Sequence, residues 1–256
     1  MLRETVHSLV AKQFGPRAAA YVASAVHAKG EDLDELADFT AAQRFDRALD
    51  LGCGGGHVSF ALAPRVGAVV AYDLSDAMLA AVAAEASARG IANLTTCQGA
   101  VEALPFEEAR FDLVASRYSA HHWRDVPQAL AQARRVLKPG GALVMMDAVA
   151  PDGVLCDTFV QTIEMLRDPS HVRDYSVREW LAMLAEAGFD AAEPKRRRIR
   201  LEFANWIARM QTPPLQAEAI RALMARAPAE VTAYFAIESD GSFMLDAASI
   251  VARSRR

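Results

Sequence analysis

No stretch of this chain approaches the ~20 consecutive apolar residues that a helix needs to cross a bilayer. The best apolar run of the second half, residues 142–150, is interrupted by Asp147. The opening MLRETVHSLVAKQF lacks the uninterrupted apolar core of a secretory signal, so a cytoplasmic location is expected. Cysteine is scarce. Cys53, Cys97 and Cys156 are odd in number and far apart, which supports neither a disulfide framework nor a zinc site. There is no low-complexity tract, no internal repeat and no linker rich enough to divide the chain. An excess of basic charge is missing too. The net charge of −4 argues against nucleic acid as the main partner, because phosphate binding calls for a basic surface. What remains is a 256-residue chain of ordinary globular composition, 52% hydrophobic and 23% charged, long enough to bury one substantial core.

The first 44 residues read as helical: residues 18–28 are rich in alanine, and residues 32–44 place Leu33, Leu36 and Phe39 at helical spacing. The pattern then alternates. Short apolar runs at residues 47–51, 68–73, 93–98, 111–116 and 142–147 read as five strands. Between them, residues 57–63, 76–89 and 125–138 read as helices, the last opened by a capping box of Asp125 and Gln128 and closed by Pro139-Gly140-Gly141. This alternation predicts a doubly wound parallel sheet with ligands at the carboxyl ends of its strands. Further on, residues 153–167 and 176–187 read as helices, the second capped by Ser176 and Glu179. Residues 192–203 read as a long strand, helical segments follow around Pro213-Pro214 and Pro228, and residues 242–253 read as a last strand. The expected organisation is a single domain, 1–256. Residues 1–44 form a helical cap, 45–149 a ligand-binding core, 150–190 an inserted helical lid, and 191–256 complete the sheet.

The string Asp50-Leu51-Gly52-Cys53-Gly54-Gly55-Gly56 follows the first strand, and Asp73 ends the second about twenty residues later. Glycines permit a tight turn and a close backbone approach, and the next helix offers free N–H groups to an anion. An acid at the end of the second strand can accept hydrogen bonds from ribose hydroxyls. Together these are the marks of a nucleoside ligand. The dinucleotide fingerprint G-x-G-x-x-G/A asks for Gly or Ala at position 57, where His57 stands, and a carboxylate at Asp50 suits a cationic amino group better than a pyrophosphate.

LDLGCGGG, YDLSDAML, EALPFEEARFDLV and RRVLKPGG, in this order, resemble the class I S-adenosylmethionine-dependent methyltransferases, in particular the quinone-biosynthesis-like (type 11) small-molecule subgroup. The likeness is strong over residues 49–147 and looser in the flanks. It implies an α/β, Rossmann-like, doubly wound sheet of seven mostly parallel strands, the last antiparallel, plus a helical cap, with S-adenosyl-L-methionine as methyl donor. Carried over by position, Gly52, Gly54 and Gly56 would line the methionine end and Asp50 would meet the amino group directly or through water. Asp73 would hold the ribose hydroxyls, Leu74 and Met78 would flank adenine, Val101 and Glu102 would lie at its edge, and Arg117 would sit near the methionine moiety. Where related chains commonly carry Asp, this one has Ala100, so Val101 backbone, Glu102 or packing must hold the adenine.

For the acceptor side, His121, His122 and His171 are candidate bases, because imidazole titrates near neutrality. His171 and Arg173 lie in the polar loop DPSHVRDY, which is expected to form the inner edge of the lid and face the cleft; a plain surface turn is the alternative. Tyr21 can close over the cofactor or serve as an interface aromatic. The pair His121-His122 does not suggest a metal site, since no carboxylate–histidine set accompanies it in the sequence. The run Lys195-Arg196-Arg197-Arg198-Ile199-Arg200 reads as the solvated edge of a strand, and as an RNA contact only secondarily. Trp123, Trp180 and Trp206 read as packing residues. The expected activity is methyl transfer to a small-molecule substrate. The competing readings are an NAD(P)-dependent oxidoreductase, a non-catalytic S-adenosylmethionine-binding protein and an RNA methyltransferase.

Overall fold

The computed structural model of the protein describes residues 4–22 and 29–255. Helices α1 (Val6–Phe14), α2 (Ala18–Val22) and α3 (Glu31–Ala41) precede strand β1 (Phe45–Leu51). Half of the alanine-rich segment, residues 23–28, lies outside the described residues. Then come α4 (His57–Leu62), β2 (Val66–Asp73), α5 (Asp76–Ala88), β3 (Leu94–Gln98), β4 (Phe111–Arg117), α6 (Val126–Val136) and β5 (Leu137–Ala148). The second half runs α7 (Val154–Arg167), α8 (Val177–Glu186), β6 (Phe189–Ala191), β7 (Lys195–Leu201), α9 (Phe203–Met210), α10 (Pro214–Ala225), α11 (Ala229–Phe235) and β8 (Phe243–Ser254).

The strand order is β3-β2-β1-β4-β5-β8-β6, with β7 also on β8. Strands β1 to β5 pair in parallel, and β8 runs antiparallel to β5. β6 and β7 meet successive stretches of the same edge of β8, at residues 252–254 and 243–249, so the eight strands occupy seven rows. The long strand expected over residues 192–203 forms as the shorter β7, and the three-residue β6 precedes it as a separate strand. The order reverses between β1 and β4, which opens a crevice at their carboxyl ends.

Alternate residues of each central strand face opposite layers. Leu49, Leu51, Leu143 and Met145 pack with α6 and α8 on one face. Ala48, Ala142, Val144 and Met146 pack with α3 and α4 on the other. A third cluster joins α7, α9, α10 and α11 to the start of β8 through Val160, Ile163, Trp206, Ile220, Val231 and Phe243. The segment expected as one lid therefore divides. α8 belongs to the sheet layer, whereas α7 associates with the helices inserted between β7 and β8.

Local signals account for most boundaries. Ser75 accepts from Met78 N at the start of α5, and Ser176 and Glu179 form a full capping box on α8. At α6 only half of the expected box forms. Asp125 accepts from Gln128 N, while the Gln128 amide donates to the Glu102 carbonyl. α6 also ends two residues early, because Leu137 pairs with Phe111 and Pro139-Gly140-Gly141 becomes an irregular start to β5 instead of a helix stop. The basic run on β7 is matched by acids: Arg197 pairs with Glu35, Arg198 with Asp246 and Arg200 with Glu238. It is an edge strand held by ion pairs. Among the described residues, no helix is long and apolar enough to cross a membrane.

Candidate active site

A cavity of about 1020 Å³ opens at the carboxyl ends of β1, β2, β4 and β5 and is lined by residues from α1, α2, α7 and α9 as well. The glycine turn forms its floor. Asp73 accepts from Gly54 N (2.9 Å) through Oδ2 and from Ser75 N (2.9 Å) through Oδ1, so one carboxylate ties the first loop to the second. Burial raises its pKa against these hydrogen bonds. Gly54 has φ +47°, and a Cβ there would meet nothing within 4 Å. The turn needs the left-handed conformation and leaves open space above it, as a site for a ligand backbone would. Gly55 is different: a Cβ would lie 2.8 Å from the Tyr21 backbone, and the His57 Nε2 bonds the Tyr21 carbonyl at 2.9 Å. The N-terminal helices are thus docked on the turn itself.

Asp50 is fully buried, and its Oδ2 accepts from Ser59 N (3.0 Å) and Ser59 Oγ (2.7 Å). Burial outweighs these bonds and pushes its pKa up to about 7. Arg117 meets Asp32 through Nε (2.6 Å) and Nη2 (3.1 Å), a nearly enclosed pair that fixes the start of α3. Glu102 Oε1 accepts from Arg124 N (3.0 Å) and Asp125 N (3.3 Å), and Oε2 lies 3.3 Å from His7 Nε2. Its carboxylate therefore holds the approach to α6 while still lining the cavity.

Three histidines meet at the other end. His121 lies in a helical turn after β4, with His122 ring-to-ring at 4.2 Å and His171 at 5.8 Å. His121 Nδ1 is 2.6 Å from Oδ1 of Asp147, whose two oxygens also accept from Ala120 N and Ala148 N, each at 2.8 Å. Burial disfavours the charged imidazole, but the Asp147 charge and hydrogen bond, with Asp174 and Glu164 behind them, overcome it and raise His121 to about 9. Burial together with the His121 charge lowers His122 to about 3. His171, buried and bonded through Nε2 to Gln161 Oε1 (3.0 Å), falls to about 4. Asp174, also buried, is pushed up to about 7 by desolvation. His121, Asp147 and Asp174 each bring one possible metal-ligand atom within 4.8 Å of the others. The fold thus assembles a carboxylate–histidine set that the adjacent histidines lack in the sequence.

Of the residues singled out from sequence, Tyr21, Asp50, Gly52, Gly54, Asp73, Leu74, Met78, Val101, Glu102, Arg117, His121, His122 and His171 all line this cavity. Two do not. Gly56 lies behind the turn as the N-cap of α4, where a Cβ would meet Val82 at 2.9 Å. Arg173 corrects the expectation of an inward-facing pair with His171: it turns outward to Asp157 (3.0 Å) and Glu179 (3.2 Å) and lines a separate surface depression. The backbone of this loop bonds to the His121 carbonyl, which leaves His171 facing in and Arg173 facing out. Sequence reasoning passed over Asp147, although it stands at the end of β5 as Asp50 and Asp73 stand near the ends of β1 and β2. It also passed over Gly55 and Asp174; for Asp174 no local signal exists.

A methyltransferase domain family profile matches residues 49–145, from the middle of β1 to the middle of β5. Over 195 residues the chain is 48% identical to YafE of Escherichia coli (strain K12), spanning 76% of this chain and 94% of that one. It is 34% identical over 200 residues to the uncharacterized methyltransferase YcgJ of Bacillus subtilis (strain 168), spanning 78% and 79%. The crystal structure of YcgJ superposes with a TM-score of 0.85 at 31% identity, over 88% of this chain and 99% of that one. The chain belongs to the class I methyltransferases. The ubiquinone/menaquinone biosynthesis C-methyltransferase UbiE of Dinoroseobacter shibae is similar over a shorter span, 36% identical over 118 residues, or 44% of this chain and 47% of that one.

The methyltransferase's His121–Asp147 pair has a direct signature. In a proton-detected NMR titration, the His121 imidazole is expected to titrate near 9, and Asp147→Asn should bring it below the ordinary 6.5 because burial then acts with little opposition. The stabilisation from the raised pKa is full below pH 6.5 and is lost as pH rises through about 9. A His121 midpoint at or below 6.5 in the wild type would refute the pair.

Proposed function

We propose that the protein transfers a methyl group from S-adenosylmethionine to a small-molecule acceptor, with His121 as the general base. The observation that carries this reading is a single cavity that joins the glycine turn and Asp73 at one end to the His121–Asp147 pair at the other. The residues present fit the donor: Gly54 leaves room for it and Asp73 keeps lone pairs for two ribose hydroxyls beyond its two backbone bonds. Asp50, at about 7, gains a cationic amino group that favours its ionised form. Leu74, Met78 and Val101 supply an apolar wall for adenine, and Glu102 lies beside it. Arg117, neutralised by Asp32, orders the methionine end and does not present a lone charge to it.

S-Adenosylmethionine supplies a methyl group already activated on a sulfonium, so the protein's task is to align the acceptor, exclude water and accept a proton where the acceptor releases one. Asp147 fixes the His121 ring and leaves Nε2 as the proton acceptor once the imidazole is neutral. His122 and His171 are neutral throughout the working range and surround it as packing and hydrogen-bonding groups. α1, α2, α7 and α9 enclose the acceptor end, and a small-molecule acceptor fits both the enclosed volume and the acceptor class in the UbiE name.

Calorimetry with S-adenosylhomocysteine is expected to give micromolar-range binding, and Asp73→Ala should weaken it by about 1–3 kcal/mol through loss of an ionised acceptor. Wild-type affinity in the Asp73→Ala protein would reject the ribose assignment. A base of pKa about 9 has a second consequence. kcat/KM for an acceptor that ionises should rise about tenfold per pH unit up to about 9, and Asp147→Asn should move that rise to lower pH. A profile flat from pH 6 to 9 would remove His121 from the role.

A further inference from the structure

Two side chains of helix α9 that line the cavity each carry a buried donor with no partner among the described residues. Trp206 is 1% exposed, and its Nε1 is buried with no hydrogen-bond partner. One turn later, Arg209 Nε is also buried and unpartnered, and among the described residues its guanidinium pairs with no carboxylate. Residues at i and i+3 share a helix face, and both side chains line the cavity. Indole and guanidinium groups can only donate, so neither can satisfy the other.

Arg167 lies 4.9 Å over the Trp206 ring and is itself paired with Glu164 (2.9 Å). Burial and then the Arg167 charge depress the Arg209 pKa, while Glu164, the acid that opposes them, is already held by Arg167. Leaving buried donors unmade is costly, and an unpaired arginine next to another cation is more so. A planar fork of charged donors is the natural receptor for a carboxylate or phosphate.

We infer that Trp206 and Arg209 form a subsite for an oxyanion carried by the methyl acceptor, so that the substrate is a small organic acid or phosphate ester. The inference rests on the methyl-transfer reading for the word acceptor, but the anion site stands on its own contacts. The oxyanion anchors one end of the substrate on α9, and the reacting atom is presented to His121 in the same cavity. At the glycine turn the cavity offers an anion the acids Asp50, Asp73 and Glu102, whereas near α9 Glu164 is engaged by Arg167 and Arg209 has no carboxylate partner among the described residues.

The test follows thermal unfolding of the wild type, Arg209→Met and Trp206→Phe through sodium benzoate and sodium phosphate series. Ionic strength is held constant with sodium chloride, and each series is run with and without saturating S-adenosylhomocysteine. A saturable rise in Tm is expected for the wild type with at least one of the two anions. Half-saturation should be at least tenfold weaker in Arg209→Met and several-fold weaker in Trp206→Phe, which keeps an aromatic ring but loses the N–H with the five-membered half of the indole. Affinity for S-adenosylhomocysteine should stay within twofold, and Arg209→Met should unfold no earlier than the wild type without anion, because an unpaired buried donor has been removed. If Arg209→Met does not fold, Trp206→Phe and Arg209→Gln carry the comparison. No anion effect in the wild type, or an equal effect in wild type and variants, overturns the proposal. A tenfold loss of S-adenosylhomocysteine affinity in Arg209→Met also overturns it, since the arginine would then serve the donor. If no protein binds S-adenosylhomocysteine while the anion effect still depends on Arg209, the methyl-transfer reading fails and the anion site survives.

Discussion

A carboxylate buried at the end of a parallel strand has to find donors, and here the donors are the backbone of the loops that shape the site. Asp73 draws Gly54 N and Ser75 N onto itself, Asp50 draws Ser59 N, and Asp147 draws Ala120 N and Ala148 N. Each acid therefore does two things at once. It satisfies N–H groups that the strand-to-helix turns would otherwise leave unpaired, and it keeps negative charge at the mouth of the sheet. The shape of the glycine turn and the placement of His121 follow from those bonds.

Electrostatics then separates the cavity into two ends. Around the glycine turn, acids and apolar side chains prevail, a setting for a ligand that carries hydroxyls and a cationic amine. Around α7 and α9, Arg167, Arg209 and Trp206 line the cavity beside Glu164 and the histidine cluster. The His122 and His171 rings each lie within 6 Å of the His121 ring, yet the three differ widely in basicity because only His121 holds a carboxylate at hydrogen-bond distance. Burial, joined by the neighbouring His121 charge, depresses the other two. Environment, not residue type, sets the three imidazoles apart.

The parts of this arrangement that were legible in the sequence are those set by neighbours along the chain. The β–α alternation, the glycine turn with Asp73, and the Ser176–Glu179 box depend on residues a few positions apart, and they appear where their spacing indicates. The α6–β5 boundary was misread because pairing of Leu137 with Phe111, a contact between distant residues, overrides the helix-stopping signal of Pro139. Helix α9 was not separated from the strand before it, so Arg209 went unnoticed. The inward turn of His171 and outward turn of Arg173 depend on acids at 157 and 179 and on the His121 carbonyl, none of which local pattern reveals. Asp147 was visible as an interruption of an apolar strand, and its position repeats that of Asp50 and Asp73; its partner across the chain was not.

The central claim is that donor-binding turn and base share one cavity in an orientation that allows transfer. Crystals soaked with S-adenosylhomocysteine test it most directly. The account predicts ribose hydroxyls within hydrogen-bond distance of Asp73, the amino group beside Asp50, and the sulfur facing the side of the cavity that holds His121. A nucleoside bound elsewhere, or one whose sulfur points away from His121 toward solvent, would contradict it.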